Sequence, residues 1–249
     1  MAGPNARLKS MADKKVSPVF MKAIANFVVF RACSDRELTR LLKNVQLVEL
    51  LPGEPLYSQG KEPKGVFLIE SGNLKVVRPV SAGKSIAIKL INKRNLAGVE
   101  AMLGKDKYQD TALAIDTVRA YLLDGKAFLN LLFSNKTCYD GVIELMNKDL
   151  VSARSRIISL SQKMAKQRLA ESLLWLSEFF GIDDDKRIKY HLHPRELATI
   201  AGTTIANLYK LLVFFETLGF IHYKHNMLQI LEPKKLLHFA NADLSNRLK

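Results

Sequence analysis

Cysteine is nearly absent: Cys33 and Cys138 are the only two among 249 residues, and tryptophan occurs once. Two thiols cannot build a Cys-rich zinc site or a four-thiolate iron–sulfur cluster, so neither cofactor is expected. A pair this sparse reads as reduced core thiols. All five histidines, His191, His193, His222, His225 and His238, lie in the C-terminal half. A histidine-held haem in the N-terminal half is therefore not expected either. No apolar run reaches the ~18 residues a membrane span needs, and "MAGPNARLKSMADKK" lacks an apolar signal core. The expectation is a soluble, cytoplasmic protein with no membrane partner. No Ser/His/Asp or Cys/His grouping, Gly-rich phosphate loop or paired-carboxylate motif occurs, so no enzyme is expected. The acidic run Asp183–Asp185 reads as a solvated turn rather than a metal site.

What is present is globular: 48% apolar against 25% charged residues, enough for one large domain or two ordinary ones. The net charge of +14 favours anionic partners. It is unevenly spread, with 26 Lys+Arg against 15 Asp+Glu in residues 1–163 but only 12 against 9 in 164–249. Basicity alone is thus a weak argument for nucleic-acid binding by the C-terminal part.

Residues 1–17 are polar, basic and aperiodic, and read as a flexible arm. From Pro18 to Leu42 apolar residues recur at helical spacing, and "SDREL" (Ser34 to Leu38) carries a capping box with Glu37 three residues after Ser34. Between Val45 and Leu123 short Val/Ile/Leu segments such as "SIAIKLI" alternate between glycines, the pattern of a small antiparallel barrel or roll. Gly53, Gly60 and Gly72 read as turn positions needing positive φ. A long helix follows with an apolar seam at Tyr139, Ile143, Met146, Leu150, Ala153, Ile157, Leu160 and Met164. Spacings of 4 and 3 in strict alternation over about four heptads predict parallel self-association. Beyond it come an amphipathic helix closed by Gly181, a short strand (Ile188 to Leu192), and a helix opened by His193-Pro194. Gly202 then precedes a second helix from Thr204, and two alternating segments meet at His225-Asn226. That is helix, turn, helix and hairpin, the plan of a winged helix.

With "LPGEPLYSQGKEPKGVFLIESGNLKVV" ahead of the seam and "RELATIAGTT" and "LGFI" behind it, the chain resembles the CRP/FNR family of bacterial transcription regulators over about residues 20–240. The resemblance implies an α+β chain: an N-terminal antiparallel β-roll of the jelly-roll-like, cyclic-nucleotide-binding type (18–134), a dimerisation helix (135–164) and a C-terminal winged helix-turn-helix (165–249). It implies a homodimer on a palindromic double-stranded DNA site, with RNA polymerase a candidate further partner.

The family's ligand cassette places a Gly-Glu pair and an Arg-Ser or Arg-Thr around the cyclic phosphate. Here Gly98 is followed by Val99, Glu100 stands one residue late, and the arginine position falls on Asp110 ahead of Thr111. A carboxylate beside a phosphate repels it, so the usual binding of cAMP is not expected. On the second helix of the helix-turn-helix, Thr204, Ile205, Ala206, Asn207 and Lys210 should face DNA, with Thr203, His193, Arg195 and Tyr209 near phosphates and sugars. The family's usual Arg and Glu are replaced by Ile205 and Ala206, which suit thymine methyls and so A·T-rich sites. Two alternatives stay open: a scaffold of the same fold without DNA, and an ordinary cyclic-nucleotide-responsive regulator.

Overall fold

The computed structural model describes residues 7–10, 21, 24–25, 27–81 and 84–241. The chain divides into two units, residues 1–153 and 154–249. Among the described residues the first holds nine strands: β1 (Arg7–Ser10), β2 (Gln46–Leu50), β3 (Pro55–Tyr57), β4 (Gly65–Ser71), β5 (Leu74–Ser81), β6 (Lys84–Ile91), β7 (Leu96–Ala97), β8 (Thr111–Ala114) and β9 (Val118–Asp124). They form a five-stranded sheet in the order β1-β2-β9-β4-β7 and a four-stranded sheet in the order β3-β8-β5-β6. Every pairing is antiparallel. The expected roll is present. β1 is a difference: Arg7–Ser10 pair with Gln46–Glu49, so this part of the expected arm is a strand. The rest of residues 1–17 lies outside the described residues.

Period-two alternation explains why the sheets face each other. Val48 and Leu50 of β2, Phe67 and Ile69 of β4, and Val118, Ala120 and Leu122 of β9 pack against Leu56, Leu74, Val76, Ile91, Ala112 and Ala114 of the other sheet. The remaining apolar residues of β4 and β9, Val66, Leu68, Tyr121 and Leu123, point to the opposite face. There they meet α1 (Asp35–Leu41), α3 (Gly125–Ser134) and the first turns of α4 (Lys136–Gln162) through Leu38, Leu41, Phe128, Leu131, Cys138 and Val142. β4 is thus buried on both faces, which is why "GVFLI" reads as a continuous apolar run. A short α2 (Val99–Gly104) follows β7.

Ser34 caps α1 as its sequence suggests: its N–H donates to Glu37 Oε2 at 2.8 Å, and its Oγ accepts from the Glu37 N–H at 3.4 Å. The helical spacing before it is interrupted, because Val28–Phe30 form a single 3-10 turn. Gly53, Gly60 and Gly72 have φ of 86°, 78° and 84°, as the turn reading requires. At Gly72 space adds to the constraint, since a Cβ there would come 2.4 Å from the Thr117 carbonyl oxygen.

The second unit holds the end of α4, then α5 (Ala165–Phe180), α6 (Pro194–Ala201), α7 (Ile205–Thr217), the hairpin β10 (Ile221–Lys224) and β11 (Met227–Ile230), and α8 (Pro233–Asn241). Its core joins Leu169, Leu173 and Leu176 of α5 with Leu197, Leu208, Leu212, Phe215, Leu228 and Leu236, all buried. The expected strand Ile188 to Leu192 is not regular. It makes isolated bridges, Ile182 with Ile188 and Arg187 with Gln229, although Ile188 and Leu192 are buried and their N–H groups bond Leu228 and Asn226 carbonyls. Lys189 and His191 between the apolar positions are exposed, while Tyr190 is half-buried with its ring stacked on Phe180 at 4.4 Å. Among the described residues no single helix is long and apolar enough to cross a membrane.

Candidate functional site

The helix-turn-helix is set by a turn and two caps. Gly202 closes α6 in the left-handed region (φ 61°, ψ 44°), a conformation other residues adopt at a cost. Thr204 then caps α7, its Oγ1 accepting from the Asn207 N–H at 3.2 Å. α6 and α7 are bent by 89° across this turn. Behind the turn, Arg168 of α5 donates to the carbonyls of Lys163, Ala201 and Gly202 at 2.8, 3.2 and 2.9 Å. Arg156 of α4 donates to the Ile200 carbonyl. Two guanidinium groups thus satisfy the carbonyl end of α6, where the helix dipole also favours cations.

This leaves one open face on α7. Thr204, Ile205, Ala206, Tyr209 and Lys210 are exposed, and so is Val213 one turn on, which the spacing argument omitted. Leu208, Leu212 and Phe215 are buried beneath them. His193 and Arg195 are exposed at the start of α6. Asn207 differs: its Nδ2 donates to Thr203 Oγ1 at 2.8 Å, so a base contact through its amide exchanges an internal bond. The hairpin turn uses His225 and Asn226 at φ 51° and 61°, the paired left-handed geometry of a tight two-residue turn. A cleft of about 260 Å³ on this hairpin is lined by Arg187, His222, Lys224, His225, Met227 and Gln229. Alternation in "FIHYK" puts His222 and Lys224 on one outward face, a signal the sequence held but that was assigned no role.

On α4 the seam and the packing face separate except at Met146, a seam residue that packs against the roll's core. Cys138, Val142 and Leu145 pack against the roll, each one residue before a seam position or one before the next. The seam residues Tyr139, Ile143, Leu150 and Ile157 stay 43%, 47%, 48% and 65% exposed. Leu160 is half-buried and lies against Gly202. Met164 is a correction: α4 ends at Gln162, and Met164 is the extended residue capping α5, its N–H donating to Gln167 Oε1 at 2.9 Å. The break falls where the Arg168 bond to the Lys163 carbonyl replaces the next helical hydrogen bond.

Inside the first unit a cavity of about 460 Å³ lies beside α2 and α4. Its lining includes Gly98, Glu100, Asp106, Tyr108, Asp110 and Asp149, with Met146, Leu150 and Ala153 of the seam at one side. Lys89 bridges Glu100 Oε1 and Asp149 Oδ2, each at 2.5 Å. Burial opposes its charge, but the two carboxylates overcome that and hold its pKa above the ordinary lysine value. Asp110 accepts from Arg78 Nε at 2.6 Å. The rings of Tyr57 and Tyr108 stack at 4.1 Å. Burial, with Glu100 nearby, pushes the Tyr108 phenol up to about 12, so it stays protonated.

The family model of the cyclic nucleotide-binding domain matches residues 47–135. The CRP-like cAMP-activated global transcriptional regulator of Mycobacterium tuberculosis is 20% identical over 219 residues, 87% of this chain and 98% of that protein. FixK2 of Bradyrhizobium japonicum has the same fold at a TM-score of 0.70, with 14% identity over 78% of this chain and 96% of that one. A CRP/FNR-family transcriptional regulator of Thermus thermophilus superposes at 0.66, with 21% identity over 78% of this chain and 97% of that one. Residues 47–135 thus match the cyclic nucleotide-binding domain, and the chain is similar over most of its length to CRP/FNR-family regulators and shares their fold.

Of the positions that the resemblance assigns to the ligand cassette, Gly98, Glu100 and Asp110 line the cavity and Val99 does not. Val99 is buried in the helix-facing core. Thr111 instead accepts a bond from the Gln59 N–H at 3.1 Å through its hydroxyl. Gly98 has φ 81°, and Tyr108 closes over it, 3.2 Å from where a Cβ would lie. The cation that meets Glu100 in this cavity is Lys89, which no local motif marks. Its register does: in β6 it stands between the buried Ala87 and Ile91, an inward position where a lysine needs partners.

Removing that cation should be felt locally. Lys89→Met is expected to cost about 1–2 kcal/mol of stability by chemical denaturation, since both carboxylates stay partly solvated and the bridge is screened. Lys89→Met combined with Asp149→Asn should recover part of that loss. A double variant no better than the single one would deny the bridge.

Proposed function

We propose that the chain is a homodimeric, sequence-specific DNA-binding transcription regulator that does not take cAMP in the usual way. The observation carrying the DNA reading is the open face of α7, framed by the Gly202 turn and flanked by the cationic hairpin. Ile205 and Ala206 present methyl groups suited to thymine, Lys210 a point charge for guanine or phosphate, and His193, Arg195 and Tyr209 groups for the sugar-phosphate backbone. A face with so few hydrogen-bonding groups must weigh DNA shape and flexibility heavily, so A·T-rich half-sites are the expected preference. The exposed seam residues Tyr139, Ile143, Leu150 and Ile157 on α4 support self-association. Two-fold symmetry then predicts an inverted repeat with half-sites about one helical turn apart.

On the sensor side, the mycobacterial relative is named as cAMP-activated. For this chain we read the cavity differently. Its acidic groups, Glu100, Asp106, Asp110 and Asp149, outnumber Lys89 and Lys107 among the lining residues, and Lys89 is already committed to two carboxylates. A cyclic phosphate would have to break that bridge with no arginine at position 110 to receive it. Lys89 joins α2, which carries the cassette position Glu100, to α4. It thereby makes internally a link between roll and dimer helix of the kind an effector would supply.

A mobility-shift selection on random duplexes tests the reading: an enriched inverted repeat supports it, and no retention even at low salt means a scaffold instead. Isothermal titration with cAMP tests the second half, and saturable binding at the roll would refute it. Lys210→Ala should weaken operator binding and reduce the slope of log K against log salt by about 1 if Lys210 meets a phosphate. Unchanged affinity and slope would remove Lys210 from the interface.

A further inference from the structure

Cys33 and Cys138 are both free thiols, with Sγ atoms 2.9 Å apart. They are 105 residues apart in sequence, so the fold and not local spacing brings them together. Cys33 is half-buried in the loop between the 3-10 turn Val28–Phe30 and the Ser34 cap of α1, while Cys138 is buried in the first turn of α4. A disulfide needs its sulfurs at about 2.05 Å, so less than about 1 Å of approach separates contact from bond. The surroundings are held: the Cys138 N–H donates to Asn135 Oδ1 at 3.1 Å, and Asn135 Nδ2 donates to Glu37 Oε1 at 3.0 Å. Beside the pair, Val29 packs so closely on α4 that a Cβ on Gly141 would lie 3.2 Å from its Cα.

We propose that Cys33 and Cys138 are an oxidation site, a reversible dithiol–disulfide couple that reacts with hydroperoxides and locks the loop before α1 to the base of α4. The chemistry balances with hydrogen peroxide as oxidant. The hydrogen-bonded pair loses one proton to solvent, and the other is shared between the sulfurs. The hydrogen bond from Cys33 lowers Cys138, while the same hydrogen bond and burial raise Cys33, so the shared proton rests mainly on Cys33 and must cross to Cys138 before Cys33 can attack. Cys33 is the sulfur open to solvent, so the peroxide meets it. With the shared proton on Cys138, the Cys33 sulfur attacks one oxygen and the O–O bond breaks. The departing hydroxide takes the Cys138 proton and leaves as water. The Cys138 thiolate then attacks the Cys33 sulfenic acid and forms the S–S bond. The expelled hydroxide takes a solvent proton, so two thiols and one peroxide give one disulfide and two waters.

The test uses the full chain, titrated with hydrogen peroxide, quenched by alkylation and mapped by mass spectrometry. The expected result is a Cys33–Cys138 cross-linked peptide within one chain, no free thiol, and full recovery of both thiols with dithiothreitol. Hydrogen exchange over the first turns of α4 should slow on oxidation. Sulfinic acid on Cys33 with Cys138 still a thiol, or bridges formed only between chains, would overturn the proposal. The variants divide the roles: Cys138→Ser should accumulate a sulfenic acid at Cys33 that dimedone traps, and Cys33→Ser should leave Cys138 unreacted. Equal peroxide reactivity of Cys138 in Cys33→Ser would refute the order of steps. The wild-type cross-link stands as evidence even where a variant folds poorly.

Discussion

Replacing Ile143 and Ile157 together by glutamate should yield a folded monomer that binds an inverted-repeat duplex about 10²–10⁴-fold more weakly than the wild-type chain. Both side chains are open in the single chain, 47% and 65% exposed, so the substitution removes little from the fold itself. Exposed positions of this kind usually shift stability by less than about 0.5 kcal/mol. In a parallel pair the same positions become knobs of a heptad seam. Each buried isoleucine there contributes about 1.5–3 kcal/mol, and a desolvated carboxylate in its place adds a further penalty. The seam is doubled by symmetry, so the loss is doubled too. DNA binding follows because a monomer keeps one half-site and loses the effective concentration of the second. Analytical ultracentrifugation reads the first effect and operator titration the second. A double variant that remains dimeric would move the interface off this seam.

Arg168→Ala should cost about 2–4 kcal/mol and lower the thermal midpoint by roughly 10 °C or more, with DNA binding lost and dimerisation retained. Arg168 donates three hydrogen bonds from one guanidinium, to Lys163 at the end of α4 and to Ala201 and Gly202 in the helix-turn-helix turn. Truncation leaves those carbonyls without their charged donor, and Gly202 loses a restraint on its left-handed conformation. The α6–α7 angle, which aims the open face of α7, is then left to packing, the Thr204 cap, the Arg156 bond and the turn's backbone bonds. Lys at this position can satisfy one carbonyl but not three in a fixed fork, so Arg168→Lys should restore only part of the loss. Differential scanning calorimetry and operator titration measure the two effects. Wild-type melting and wild-type affinity in Arg168→Ala would mean the clamp has no part in positioning α7.

Some of the site was legible because its causes are local. The Ser34–Glu37 cap, the left-handed glycines and the His225-Asn226 turn each depend on residues within a few positions. So do the Gly202 turn with its Thr204 cap and the heptad spacing of α4. The same locality explains a miss: spacing extended the seam to Met164, but a partner outside the helix, the Arg168 guanidinium, ends α4 at Gln162. Helix α8 was passed over although Leu236 and Ala240 stand at i and i+4, both buried. A nine-residue helix has too few turns for its period to stand out.

By itself, then, the sequence determined the order of parts: roll, long helix, helix-turn-helix and hairpin, and which face of α7 is apolar. Tertiary structure alone decided which charges meet. Lys89 finds Asp149 across 60 positions and Arg78 finds Asp110 across 32, because strand register and helix packing carry distant residues together. The expected repulsion at Asp110 was therefore incomplete, since its counter-charge is supplied from a neighbouring strand. Cys33 and Cys138 make the same point most plainly, two sparse thiols without a motif that α1, the 3-10 turn and the base of α4 bring into contact. Spacing encodes contacts along a helix or strand, and only packing encodes contacts between them.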